Sequence, residues 1–404
     1  MTSASHDAKY MNNWLHNDPR KLSFQAHGSS VVTCLLLSHG RIISASNDHE
    51  IHVYSSETGE RLHTLSGHEG GIWALAISPN YPNALVSGST DRTVRIWDLS
   101  TGRCTHVFGG HTSTVRCVII VTPSWVEVNG VMEKWPKRTM VVSGSRDHTL
   151  RVWNLPRRGD KYNGAVELSE ANDNPYHLRV LEGHTDAVRA LATHGRTIVS
   201  GSYDTTLKVW DLITGECRWS LIGHTGKVYS VALDTERNQA ISGSMDGTVR
   251  TWSLTTGLPL HTLLGHSSLV GLLGISPTNI VSAAADATLR IWDPSNGALK
   301  QTLAAHTGAI TCFQHDESKV VSGSDGDLIL WDIREGKVVR KMLERITGVW
   351  QVVFEGNLCV AASNRGEFTY LDVWDFAGPE VEEEDGEVET LKGSSEEESV
   401  DGDV

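Results

Sequence analysis

One interval governs this chain. From a closing aromatic residue to the next histidine it spans 14 residues, with a single exception. His27, His68, His111, His184, His224, His266 and His306 open seven units, and Tyr54, Trp97, Trp153, Trp210, Trp252, Trp292 and Trp331 close them. A spacing held this constant over most of 404 residues means one supersecondary unit copied many times, each burying its apolar face against its neighbour. The stretch from His111 to Trp153 shows the unit in full: GHTSTVRC, a loop, then VVSGSRDHTLRVW.

Within each unit the apolar runs are short, rich in Val, Ile, Leu and Thr, and separated by turns such as STG, ITG, TTG and SNG. Four antiparallel strands per unit follow, so each unit is a blade and the fold class is an all-β propeller. The period lies near the roughly 40–45 residues of WD40 repeats. An eighth unit is weaker: RITGVWQVVF replaces the His segment, SNRG replaces the Asp turn, and LDVWD closes on Trp374. Eight blades are expected, with seven as the alternative if this last unit is irregular. The His, Ser, Asp and Trp of one blade, for example His184, Ser202, Asp204 and Trp210, are expected to bond one another inside the apolar wedge rather than to do chemistry.

Three segments are expected. Residues 1–24 form a polar leader with an apolar patch at Tyr10, Trp14 and Leu15, and Pro19 ends any helix there. Residues 25–376 form the propeller. Residues 377–404 form an acidic tail too poor in apolar residues to fold, with Ser394, Ser395 and Ser399 as weak candidates for phosphorylation. From Glu380 on, the tail holds twelve acidic residues and one lysine, which accounts for most of the net charge of −14. The propeller itself is therefore nearly neutral, and no nucleic-acid partner is implied. In the third unit, additions at roughly 122–138 and 155–177 fall in connections on the face away from the Gly-His and Asp turns.

The six cysteines form no CxxC pair and read as small buried residues, reduced in a nuclear or cytoplasmic setting. No apolar run approaches the roughly 18 residues of a membrane span, and the polar start has no signal core, so no membrane partner is expected. There is no GxxxxGK[ST], no GxGxxG between strand and helix, and no HExxH; GHTGKVYS at 223–230 lacks phosphate-loop spacing. An enzyme has no residues to stand on here, and neither metal nor cofactor is implied.

Recognition remains, on the face where the inner strands begin. The fifth residue after each His reads Val32, Trp73, Arg116, Arg189, Tyr229, Gly271 and Thr311, with Trp350 in the eighth unit. The residue before each turn Asp reads Asn47, Thr90, Arg146, Tyr203, Met245 and Ala285. Around the channel mouth this sets Arg116, Arg146 and Arg189 among Trp73, Tyr203, Tyr229 and Trp350, with Lys227 and Arg92 close by in register. Chance scatter of surface arginines is the plain alternative. Guanidinium groups crowded together repel unless an anion sits between them, and a phosphate accepts paired bonds from two or three such forks. Neighbouring aromatics suit apolar or proline residues beside the anion. The expected ligand is a phosphorylated, partly apolar, unfolded segment of another protein.

The run GGIWALAI, SGSTDRTVRIWD, HTSTVRC, SGSRDHTLRVW, HTDAVRA, SGSYD and HTGKVYS resembles the propeller of the cell-division-control F-box/WD40 proteins. These are phosphodegron-reading substrate receptors of Skp-cullin-F-box (SCF) ubiquitin ligases. ANDNPYHLRVLEGH, HSSLVGLLGIS and VSAAAD resemble the fungal members. The resemblance implies that Arg116, Arg146 and Arg189 hold the phosphate, with Arg92 adding positive potential. It implies that Trp73, Thr90 and Thr114 lie by the proline after the phosphoresidue, and that Tyr203, Tyr229 and Trp350 face the apolar residues before it. Lys227 stands where such proteins usually have arginine, which keeps the charge and loses the fork. An F-box should precede the propeller, and the first 24 residues are too few for one, so a Skp adaptor and cullin are expected as partners only if an F-box lies upstream. The other class of function weighed is a scaffold that gathers partners without regard to phosphate.

Overall fold

The computed structural model describes residues 12–128, 130–157, 159–160 and 174–377. The tail, Tyr10, the three tail serines and most of the second addition to the third unit lie outside these residues. Eight four-stranded antiparallel sheets are arranged as a ring, with a separate two-stranded hairpin. The innermost strands of blades 1 to 8 are Val32–Ser38, Ile72–Ser78, Val115–Val121, Val188–His194, Val228–Asp234, Val270–Ile275, Ile310–His315 and Gly348–Glu355. Each touches the next, and the eighth touches the first, so the ring is closed. Eight blades are therefore present, the weak last unit included.

The sheets stand face to face, so second strands are buried on both sides: Thr197–Ser202 is buried along all but its first residue. Outer strands face solvent, as in Cys217–Leu221, where only Leu221 is buried. Each wedge between blades is filled by Val, Ile and Leu from two neighbours, capped by a closing Trp such as Trp210 or Trp252.

Polar groups inside the wedges are paired in a repeated network. In blade 4, His184 Nδ1 lies 2.7 Å from Asp204, its Nε2 lies 2.8 Å from Ser200 Oγ, and the Trp210 indole donates to that same hydroxyl at 2.9 Å. The serine is thus Ser200 and not the expected Ser202. The two residues share a face of the strand, and Ser202 instead donates to the Asp186 carbonyl and receives the Asp204 amide. Burial holds His68, His111, His224, His266 and His306 below the usual imidazole range, against the pull of their aspartates. Burial also raises Asp91, Asp147 and Asp204, yet bonds from the facing His and Thr outweigh it and leave these carboxyls well below their usual range. A neutral imidazole donating to a carboxylate satisfies both shifts. In blade 1, Tyr54 replaces Trp and its hydroxyl meets His52, whose ring stacks on His27 at 4.0 Å.

The leader expected over residues 1–24 is part of the fold from residue 12 onward. Strand Arg20–Gln25 is the outermost strand of blade 8, paired with Phe368–Asp375 from Arg20↔Asp375 to Gln25↔Tyr370. A short helical turn over residues 12–16 stops before Pro19. It buries Trp14 completely, stacked on Phe376 at 4.2 Å, with its indole donating to the Gly356 carbonyl at 2.9 Å.

The first addition to the third unit is the hairpin Ser124–Val128 with Val131–Trp135. Val126 packs against Gly195, in the turn between the inner two strands of blade 4, and the Arg196 guanidinium lies 5.3 Å over Trp135. Those turns lie on the face opposite the Gly-His loops, as expected.

Candidate functional site

Every inner strand carries a β-bulge at its start. Pairing with the second strand passes over Thr33, Trp73, Arg116, Arg189, Tyr229, Gly271, Thr311 and Trp350. A bulge leaves one residue without a partner across the ladder and re-aims its side chain. Val115, just before Arg116, is fully buried while Arg116 itself is half-buried, so the bulge turns the guanidinium out of the wedge. Blade 1 differs from expectation: its Gly-His segment is one residue longer, so Thr33 takes this seat and Val32 is buried in the wedge.

A second ring stands beside the first. The amides of Asn47, Thr90, Arg146, Tyr203, Met245 and Ala285 donate at 2.8–3.2 Å to the carbonyls of Val31, Gly71, Thr114, Ala187, Lys227 and Leu269. Each turn is thereby fastened to the start of its own inner strand. Arg92 follows the turn Asp of blade 2 with φ of 72°, as His148 does in blade 3, so the turn and not a ligand sets that conformation.

The two rings bring most of the expected residues together. The Arg116 guanidinium lies 4.6 Å over the Trp73 ring, and the Trp73 indole donates to Thr90 Oγ1 at 3.0 Å. Lys227 Nζ lies 4.5 Å from the Tyr203 ring, and Tyr203 and Tyr229 meet at 5.2 Å. Burial, then Arg189, then Arg146 hold Arg116 below its usual range, with Tyr203 hydrogen-bonded to it and acting the other way. No carboxylate is among the strongest influences on Arg116. Among the described residues, Arg92, Arg116, Arg146, Arg189 and Lys227 form no ion pair. Burial raises Tyr229, and Tyr203 raises it further, while Arg189 and Arg116 pull it down.

Arg189 reaches toward the channel. Burial pushes the Cys34 and Cys117 thiols up to about 11 and about 12, and Arg189 pulls each back, so its charge is felt in blade 1 as well as in blade 3. All six cysteines are free. Thr114 is buried and contributes the carbonyl that holds Arg146. Two expected residues stand apart. Arg92 is exposed on its turn, and Trp350 packs with the apolar cluster shared by blades 8 and 1 rather than with the arginines and tyrosines.

Sequence reasoning missed two positions at the mouth. Thr33 was hidden by the extra residue in HGSSVVT. Asp325 was hidden because the blade 7 turn, SDGD, holds two aspartates, and it is Asp327 that serves His306.

Comparisons with known proteins agree with this architecture. The chain is 45% identical over 381 residues to Cell division control protein 4 of Candida albicans, covering 91% of this chain and 55% of that protein. It is 44% identical over 364 residues to WD repeat-containing protein pop2 of Schizosaccharomyces pombe, covering 89% and 51%. It is 38% identical over 399 residues to Cell division control protein 4 of Saccharomyces cerevisiae, covering 91% and 49%. The chain thus spans about half the length of the curated relatives it matches. Among solved structures, the computationally designed Ika8 protein superposes with a TM-score of 0.68 at 30% identity, covering 87% of this chain and 98% of that one. The family profile of the WD domain, G-beta repeat matches residues 19–55, 59–98, 102–154, 176–211, 215–253, 257–293 and 297–332, leaving the eighth blade to be recognised by its strands. Seven matched repeats, the closed ring of sheets and the His-Ser-Trp networks lead to one conclusion: this chain belongs to the WD domain, G-beta repeat family.

Proposed function

We propose that this propeller binds phosphorylated, partly apolar segments of other proteins and is the substrate-recognition domain of an SCF-type ubiquitin ligase receptor. The observation that carries this reading is the cluster of Arg116, Arg146 and Arg189 at the mouth, where Arg189 and Arg146 both bear on Arg116 and, among the described residues, none of the three forms an ion pair. A doubly charged phosphate is the group that relieves such repulsion while accepting bonds from several forks. Trp73 with Thr90 on one side, and Tyr203 with Tyr229 on the other, offer apolar surfaces for the residues flanking the phosphate. A phosphothreonine or phosphoserine followed by proline is the expected motif, given the resemblance to cell-division-control receptors. The chain performs no reaction in this reading. It tethers a target, and a Skp adaptor and cullin join only where an F-box lies upstream of the propeller.

The test is calorimetric titration of the propeller with paired peptides, apolar-apolar-Thr-Pro, with and without phosphate on the threonine. Binding is expected for the phosphorylated member alone. Truncating one partner of a desolvated charge pair costs about 2–5 kcal/mol, so Arg146→Ala or Arg189→Ala should abolish measurable binding. Equal affinity for both peptides would leave only a scaffold that ignores phosphate.

A further inference from the structure

The arginines have a counterpart across the mouth. The seat held by Asn47, Thr90, Arg146, Tyr203, Met245 and Ala285 in blades 1 to 6 is taken in blade 7 by Asp325. Asp327 fills the structural role beneath it by meeting His306, which leaves Asp325 as an exposed carboxylate. Its position follows from a contact shared with the other seats: Asp325 Cβ lies 3.3 Å from where a Cβ would stand on Gly308, as Thr90 Cβ lies 3.1 Å from that point on Gly70 and Met245 Cβ 3.2 Å from that on Gly226. The Asn47 backbone lies 3.2 Å from where a Cβ would stand on Gly71, at the threshold of blade 2's inner strand. Asp325 Oδ1 lies 3.0 Å from the equivalent point on Gly348, at the threshold of blade 8's inner strand.

In a ring of eight, blade 7 stands opposite blade 3, which carries Arg116 and Arg146. The mouth is therefore polarised along one diameter, positive at blades 3 and 4 and negative at blade 7. Blade 6 contributes only Gly271 and Ala285 to the two rings, and a Cβ on Gly271 would meet nothing within 4 Å, so at these seats blade 6 puts no side chain larger than a methyl between blades 5 and 7. Among the described residues Asp325 forms no ion pair. Arg345, in the loop that follows blade 7, lines an outer cleft with Arg365 and Asp372 instead. Asp186, another carboxylate near the mouth, uses Oδ1 to accept the Ala187 amide at 2.7 Å.

We propose that Asp325 is a specificity-determining residue that selects phosphorylated segments carrying a lysine or arginine some residues away from the phosphate, on the side that crosses toward blade 7. This inference rests on the phosphosegment reading above and adds to it a second charge of opposite sign. The ligand is thus dipolar along its length, matched to a dipolar mouth. Extended chain advances about 3.3 Å per residue, so the position of the basic residue measures the distance between the two ends.

The experiment is fluorescence anisotropy with phosphothreonine peptides that carry one lysine at each of the positions two to six residues before or after the phosphate, all other residues uncharged. Alanine and glutamate replace the lysine in control sets, and the protein is used as wild type, Asp325→Asn and Asp325→Lys. One lysine position is expected to tighten binding about two- to five-fold, the range of a solvent-exposed ion pair. Asp325→Asn should erase that gain, and Asp325→Lys should transfer it to the glutamate peptide. If Asp325→Lys tightens every phosphopeptide alike and no lysine position depends on residue 325, the carboxylate is merely part of the general field and the inference is overturned. If no phosphopeptide outbinds its unphosphorylated pair, the receptor reading itself falls. The two failures are distinguishable in one set of titrations.

Discussion

Replacing Arg116 by methionine separates a binding role from a packing role. The stem of Arg116 lies against Trp73, with the guanidinium 4.6 Å over the ring, and its charge is opposed by Arg189 and Arg146. Methionine keeps an unbranched apolar stem over the indole and removes the charge. Removing the charge relieves its repulsion by Arg189 and Arg146, a gain on the order of 1–2 kcal/mol at an effective dielectric of about 20. Removing the cation-π attraction to Trp73 costs about 0.5–2 kcal/mol. These contributions nearly cancel, so Arg116→Met should melt within about 2 °C of wild type in the absence of ligand. With phosphopeptide at 100 times its dissociation constant, wild type should gain about 2.7 kcal/mol. The variant should gain less than about 0.9 kcal/mol, since losing about 2–5 kcal/mol of binding raises the dissociation constant at least about 30-fold and leaves the peptide at about three times the new constant or less. The assay is a pair of thermal melts, with and without peptide, at low and high salt. Should the free variant melt many degrees lower yet bind the peptide as wild type does, Arg116 would be a packing residue and the reasoning would fail.

Two further outcomes follow from the buried networks. Ser200→Ala leaves the His184 Nε2 and the Trp210 indole without their shared partner, at a cost of about 2–4 kcal/mol from two unsatisfied buried groups; an unchanged urea midpoint would show that the network adds nothing to stability. Acid should unfold the protein in two stages, because His68, His111, His224, His266 and His306 are held neutral in the fold. Their depressed folded values mean that stability is full above the unfolded imidazole value of about 6.5 and declines below it, as the unfolded chain takes up protons the fold refuses. Asp91, Asp147 and Asp204 are also depressed, so a second decline begins as pH falls through about 4. A urea midpoint that stays constant from pH 7.5 to 5.5 would contradict the first stage.

Periodicity made the blades legible, because each unit must present the same apolar strands to its neighbours. It also located most of the mouth, since a fixed offset from each His reaches the same seat wherever the loop length is fixed. That rule failed at Thr33, where one added residue in the loop is absorbed before the bulge and the seat moves by one in blade 1 alone. It failed at Ser202 because alternate residues of a strand share a face, and two serines on one face are equivalent until the His and Trp are placed. Trp350 holds the right seat, but a large indole beside the apolar wedge of blades 8 and 1 packs there rather than toward the arginines. The pairing of Arg20–Gln25 with the last blade joins residues almost a whole chain apart, and no local pattern announces a partner at that distance.

That pairing also sets an order on synthesis. Arg20–Gln25 emerges from the ribosome first among the propeller's strands, and its ladder partner, Phe368–Asp375, emerges last. At about 5–20 residues per second, the early strand waits for tens of seconds with its ladder partner missing while the other blades are made behind it. Only when the final strand arrives does the ring close, so circularity is acquired in one late step, and until then the unfinished molecule keeps an unpaired strand edge at one end and the apolar faces of its two terminal blades uncovered.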